Sequence, residues 1–276
     1  MRKLIAVADW GADSLTCQEV RIAIEGYLKD PSKSNISFVS STPSTIHTGF
    51  IINQVCETEE RYGRPLETVV YQNTDPRIGQ TEAVEQAKGA EFIIVSLYSG
   101  IYICGPNAGF NYSLVKAKIA KVYRYEGMDK GRQFRSRDLF TRIGAYFMDS
   151  LEQELDLEEI GSDIIPVLSG WHIGHIDNYG NIKTTITHEE FKGKYEYGDE
   201  VLVKINKVTK KVKYVSNLFG SKPGDLVIYP GSSGKPDNPY LEISVWRHFD
   251  EESPTTGLAE FNTPRPGQGV KIGQNS

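Results

Sequence analysis

An α/β domain with a largely buried sheet, followed by a smaller all-β domain, is the fold class that this 276-residue sequence predicts. Three observations carry it. Short apolar runs alternate with helical periodicities as far as about residue 160. From Trp171 onward strands succeed one another, with turn signals about every ten residues, as in a small barrel or sandwich. The length also suffices for two separate cores.

In chain order, Leu4–Ala8 is a strand that ends at Asp9-Trp10-Gly11. Residues 16–28 place Val20, Ile24, Tyr27 and Leu28 at helical spacing. Ile36–Val39 is a second strand and 50–62 a second helix. Val69–Tyr71 is a third strand, running into the polar turn NTDPRIG. Phe92–Leu97 and Ile101–Cys104 are apolar runs around Tyr98-Ser99-Gly100. Residues 138–154 read as a helix with Asp138 as N-cap. The expected first domain is 1–160, and EEIGSDIIP is the linker. The all-β domain, 168–260, contains strands at 171–177, 181–187, 200–206, 211–216, 225–229 and 240–247. Residues 261–276 lack a periodic face and read as a loose tail.

Composition excludes several classes. A net charge of −5 argues against a general nucleic-acid binder, which needs a basic surplus. Cys17, Cys56 and Cys104 form no C-x-x-C pair, so they read as reduced thiols of a cytoplasmic protein. The apolar start is too short to span a membrane. GSSGK, 231–235, is followed by Pro236 and then a strand, so it is a glycine-serine turn and not a phosphate loop. Its N–H groups and hydroxyls could still meet a carboxylate. His172 and His175 stand three apart on a strand and point to opposite faces, so no metal is expected. The lysines of KINKVTKKVKYV, 204–215, suit a solvated hairpin that resists edge pairing. Asp9 and Asp75 follow strands one and three, where open α/β sheets bind ligands.

HIDNYGNIKTTI, 175–186, raises a question of its own. Asn178-Tyr179-Gly180-Asn181 is a turn between two strands, yet Asp177, Tyr179 and Asn181 together look like a ligand grip. Six segments answer it in register: Asp9-Trp10-Gly11; Thr74-Asp75-Pro76-Arg77-Ile78-Gly79-Gln80; Gly105-Pro106-Asn107-Ala108-Gly109; Phe134-Arg135-Ser136-Arg137-Asp138-Leu139-Phe140; Ile176-Asp177-Asn178-Tyr179-Gly180-Asn181; and Ser232-Ser233-Gly234 with Leu241-Glu242-Ile243-Ser244-Val245. In this order they resemble the S-adenosylmethionine hydroxide adenosyltransferases and their chlorinase and fluorinase relatives. The resemblance implies that Asp9 holds the ribose diol, with Asp13 and Asn107 also among the substrate-binding residues. It implies that Asp177, Tyr179 and Asn181 line the adenine and methionine end, and that Ser232 and Ser233 meet the amino-acid carboxylate. It further implies a homotrimer with pockets between subunits, and no cofactor besides the substrate.

The chain departs from the family pattern at the reaction centre. Family hydrolases join the Asp-Pro aspartate to an arginine and a histidine, and Glu82 and Arg135 stand at those positions here. Asp75 remains, with Arg135 as a substitute cation, and Ser136 resembles the fluorinase motif. Three functions therefore stay open: hydrolysis of S-adenosylmethionine to adenosine and methionine, non-catalytic binding of S-adenosylmethionine or adenosine, and halide-dependent 5′-halo-5′-deoxyadenosine synthesis.

Overall fold

The computed structural model describes residues 1–76, 89–125, 127, 134–246 and 255–274, and it divides into two compact units, Met1–Leu168 and Ser169–Ser276. Glu82 lies outside the described residues.

The first unit is built on a seven-stranded sheet. Its strands are β1 (Lys3–Ala8), β2 (Ile36–Ser40), β3 (Thr68–Asn73), β4 (Phe92–Leu97), β5 (Tyr102–Pro106), β6 (Ile119–Tyr125) and β7 (Leu157–Ile160), in the order β2-β1-β3-β5-β4-β6-β7. The first four in that order are mutually parallel, and β4, β6 and β7 continue it antiparallel. Central strands are apolar on both faces because both are covered. Leu4, Val69 and Tyr71 enter one core with Val20, Ile24 and Phe147. Val7 and Val70 enter the opposite core with Ile51, Ile52 and Cys56.

The helices are α1 (Ser14–Glu25), α2 (Thr45–Tyr62) and α3 (Thr141–Met148). Ser44 Oγ caps α2 by accepting the His47 N–H at 3.3 Å, so the helix starts five residues before the expected position 50. The expected helix at 138–154 is shorter. A π-helical turn, Ser136–Phe140, leads into α3, and Asp138 is no N-cap because it lies inside that turn, its carboxylate ion-paired to Arg137 at 2.8 Å. The linker assigned to EEIGSDIIP is also corrected: Leu157–Ile160 pairs along β6, and Ile165 is fully buried. Cys56 and Cys104 are free thiols buried in the two cores, and burial pushes Cys104 up to about 12. Among the described residues no helix is long and apolar enough to cross a membrane.

The second unit is a closed barrel of β8 (Trp171–Ile176), β9 (Ile182–Thr187), β10 (Glu200–Ile205), β11 (Val208–Tyr214), β12 (Leu226–Lys235), β13 (Asn238–Val245) and β14 (Gly269–Gln274). Its interior is filled by Ile173, Ile182, Ile186, Val203, Ile228, Leu241 and Ile243. The loose tail expected at 261–276 is overturned. Phe261 is buried, and β14 pairs with both β10 and β8, setting Val270 against the core. With β10 paired on both sides, the lysine hairpin guards no sheet edge. GSSGK is likewise not a turn: it lies within β12, where the register shifts between Pro230 and Gly234. Gly234 takes φ +85°, and a Cβ there would come within 3.0 Å of the Tyr240 ring, so glycine suits this bulge.

Candidate functional site

In the first unit the candidate groups gather where β1 and β3 end. The Asp9 N–H donates to the Asn73 carbonyl at 3.2 Å, tying the two strand ends together. A Cβ on Gly11 would lie 2.9 Å from the Ser40 backbone, so a glycine lets this turn press against β2. Asp9 is half-buried. Burial raises its pKa, and the charge of Asp75 adds to the rise against two opposing backbone hydrogen bonds.

Asp75 Oδ2 accepts the Ala90 N–H at 2.8 Å and lies 4.0 Å from Arg135 Nη1. Arg135 Nη2 donates to the Ala90 carbonyl at 3.2 Å, and its guanidinium stacks 4.8 Å above the Phe140 ring. Gly89 leaves the space these groups use, since a Cβ there would lie 2.0 Å from Arg135 Nη1. Ser136 is buried next in the chain, and its carbonyl accepts the Tyr71 hydroxyl at 2.9 Å. Asn107 donates Nδ2 to Ile164 O at 3.1 Å, and its buried Oδ1 has no partner among the described residues. Asp13 is the N-cap of α1, accepting from Leu15 N and Thr16 Oγ1, and those bonds lower its pKa.

Sequence reading missed the buried support below Asp75. Thr48 Oγ1 donates to Ser41 Oγ at 2.9 Å, and Thr74 Oγ1 completes the hydroxyl ring at 2.7 and 3.2 Å. Asn111 Nδ2 donates to the Thr74 carbonyl at 2.9 Å and to Gln72 Oε1 at 3.2 Å. Asp75 therefore hangs from an anchored strand end.

In the barrel, Asp177 organises its own turn. Its Oδ1 accepts the N–H groups of Tyr179 and Asn181 at 2.9 and 3.0 Å, and Oδ2 accepts Asn181 Nδ2 at 3.0 Å. Asn181 Oδ1 in turn accepts the Ser244 hydroxyl. Tyr179 is exposed at the tip of the turn, and Ser233 is buried. Ser232 gives its N–H and hydroxyl to Glu242 at 2.8 and 3.0 Å. Lys183 and Glu242 were not singled out in the sequence. Charged residues on strands read as solvent-facing, and only strand pairing sets these two side by side. Among the described residues no group of three or more His, Cys, Asp or Glu could hold a metal ion.

Residues 171–247 match the family model described as the SAM hydroxide adenosyltransferase C-terminal domain. The chain is also 28% identical over 167 residues to a Methanocaldococcus jannaschii protein named (R)-S-adenosyl-L-methionine hydrolase, an alignment covering 55% of this chain and 57% of that relative. The chain thus spans a little over half the length of that curated relative. The likeness to the S-adenosylmethionine hydroxide adenosyltransferases thus rests on the barrel and on this relative. The whole fold is shared more widely. An uncharacterized conserved protein from Thermotoga maritima matches with a TM-score of 0.68 at 17% identity, covering 98% of this chain and 99% of its own. A conserved hypothetical protein from Thermus thermophilus matches with a TM-score of 0.65 at 16% identity, covering 99% and 100%. At these identities the likeness concerns the fold alone.

Proposed function

We propose that the protein hydrolyses S-adenosylmethionine, water attacking C5′ in line with the sulfonium. The C5′–S bond breaks as the C5′–O bond forms. Methionine leaves as a neutral thioether, and the proton lost by water passes to Asp75 and then to solvent. The leaving group needs neither an acid nor an electron, so the reaction calls for no cofactor. The site has to supply a positioned water and an acceptor for its proton.

The observation that carries this reading is the Asp75 carboxylate, fixed by the Ala90 N–H beside a guanidinium, with Asp9 at the neighbouring strand end. In this reading Asp9, Asp13 and Asn107 bind the nucleoside, and Asp177, Tyr179, Asn181, Ser232 and Ser233 bind the remaining ligand. Arg135 and Ser136, neighbours in the chain, complete the reaction centre in the same reading. The same family likeness supports a homotrimer working in the cytoplasm. Light scattering that returns the 30.9 kDa monomer mass would remove the trimer.

One observation favours a binder that does not turn over its ligand: Arg135 already stands beside the carboxylate that would receive the proton. Incubation with S-adenosylmethionine, with and without chloride, followed by mass spectrometry of the nucleoside product, separates the readings. Adenosine above the no-protein control supports hydrolysis. A chlorinated nucleoside would replace it with halogenation, and unchanged S-adenosylmethionine leaves binding.

A further inference from the structure

Strand pairing in the barrel builds a row of polar side chains. His175 on β8 stands opposite Lys183 on β9, Lys183 opposite Glu242 on β13, and Glu242 opposite Tyr229 on β12. Ile182, Ile243 and Ile228, one residue away on their strands, fill the barrel core, so the row occupies the opposite face. Glu242 is 4% exposed. Its Oε1 accepts Lys183 Nζ at 2.6 Å and both Ser232 donors, and its Oε2 accepts the Tyr229 hydroxyl at 3.3 Å. A carboxylate with four donors has no capacity left for a ligand.

Lys183 is differently placed. Of its three N–H donors, one goes to Glu242 and one to Ser232 Oγ at 3.0 Å, leaving the third uncommitted among the described residues. The side chain keeps 14% of its surface exposed, and its ammonium lies beside the serine bulge through the Ser232 Oγ contact. His175 is no rival cation, since burial and the charge of Lys183 both lower its pKa. Asp177 and Glu242 also act on that imidazole, so two acids and one ammonium share the neighbourhood. A dianion such as phosphate would meet both acids. A zwitterion places its carboxylate on the ammonium and its own ammonium near the acids.

We propose that Lys183 is a specificity-determining residue, whose uncommitted donor holds the carboxylate of an α-amino-acid end beside the serine bulge. The barrel thereby selects a zwitterionic sulfonium nucleoside over the same nucleoside lacking the carboxylate. This rests on the S-adenosylmethionine reading above.

Calorimetry with S-adenosylmethionine, its decarboxylated analogue and adenosine, on the full chain, tests it. Wild type should prefer S-adenosylmethionine over the decarboxylated analogue by about tenfold or more, the worth of a charge-assisted hydrogen bond. Lys183→Met should abolish that preference while leaving adenosine affinity within about twofold, and Lys183→Arg should retain most of it. Because Lys183→Met leaves Glu242 buried without its cation, Lys183→Met/Glu242→Gln provides a charge-neutral version of the same test. Equal losses for the carboxylated and decarboxylated ligands overturn the Lys183 assignment alone. Wild-type protein that binds none of the three ligands overturns the reading of the site, and the assignment with it.

Discussion

Asp75→Asn separates the charge of the proposed base from its shape. An asparagine Oδ1 can still accept the Ala90 N–H that Asp75 Oδ2 takes at 2.8 Å, so the local backbone keeps its anchor. The variant loses the ion pair to Arg135 and the basicity toward water. That pair is loose, 4.0 Å apart with side chains 23% and 14% exposed, and its loss costs about 1 kcal/mol or less. For a unit of this size, such a loss lowers the melting temperature by no more than about 4 °C. The basicity counts for more. Removing a general base slows a reaction by about 10²–10⁴-fold, or roughly 2.7–5.4 kcal/mol of barrier. A variant that melts near wild type should therefore release adenosine at least about a hundredfold more slowly at saturating S-adenosylmethionine. Chromatographic adenosine release and a thermal melt on the same samples measure both. An Asp75→Asn protein that turns over within about tenfold of wild type would refute the assignment of Asp75 as base. Arg135→His, which leaves Glu82 in place, should change the rate by a partial gain at most.

The remaining expectations concern pH and stability. Asp9 has its folded pKa raised, so its stabilising contribution is complete below the ordinary value of 3.8 and is lost as pH rises through the folded value. Asp9→Asn should accordingly gain stability relative to wild type as pH climbs through that window; urea midpoints that move in parallel would count against it. Tyr112 is fully buried, donating to Gly105 O at 2.9 Å and accepting Gln72 Nε2 at 3.1 Å. Tyr112→Phe should cost about 1–3 kcal/mol in denaturant unfolding, and a loss under about 0.5 kcal/mol would show that Gln72 finds another partner. Deleting residues 269–276 removes the strand that closes the barrel and exposes two edges. The shortened protein should lose cooperative melting or aggregate, and a monodisperse, cooperatively melting product would contradict the closure.

Much of this was legible in the sequence where one physical signal dominated. β1 and β3 are continuous apolar runs because both faces of the sheet are covered, and such runs need no partner to be recognised. β6 escaped because its Ile119-Ala-Lys-Val-Tyr-Arg-Tyr mixes charge with apolar residues while only Ile119 and Val122 are buried. β14 escaped for a related reason: Val270 and Ile272 alone carry its alternation, between glycines and lysine. In the candidate site, Asp177 and Asn181 stood out through turn chemistry, which is local. Lys183 and Glu242 lie 59 residues apart, and their relation comes into being only with the β9–β13 register. The hydroxyl ring of Ser41, Thr48 and Thr74 is assembled from three elements in the same non-local way.

The burial of Glu242 also constrains how this barrel can change over generations. Replacing either Lys183 or Glu242 alone strands a charge in a place with little water, at a cost of about 3–5 kcal/mol. That is a large part of what holds an ordinary domain together. Replacing both by neutral residues of similar volume can be nearly free. The two positions are therefore expected to drift as a pair, through a rare double step or behind a prior stabilising change elsewhere. Ser232, whose N–H and hydroxyl both end on the same carboxylate, inherits that inertia.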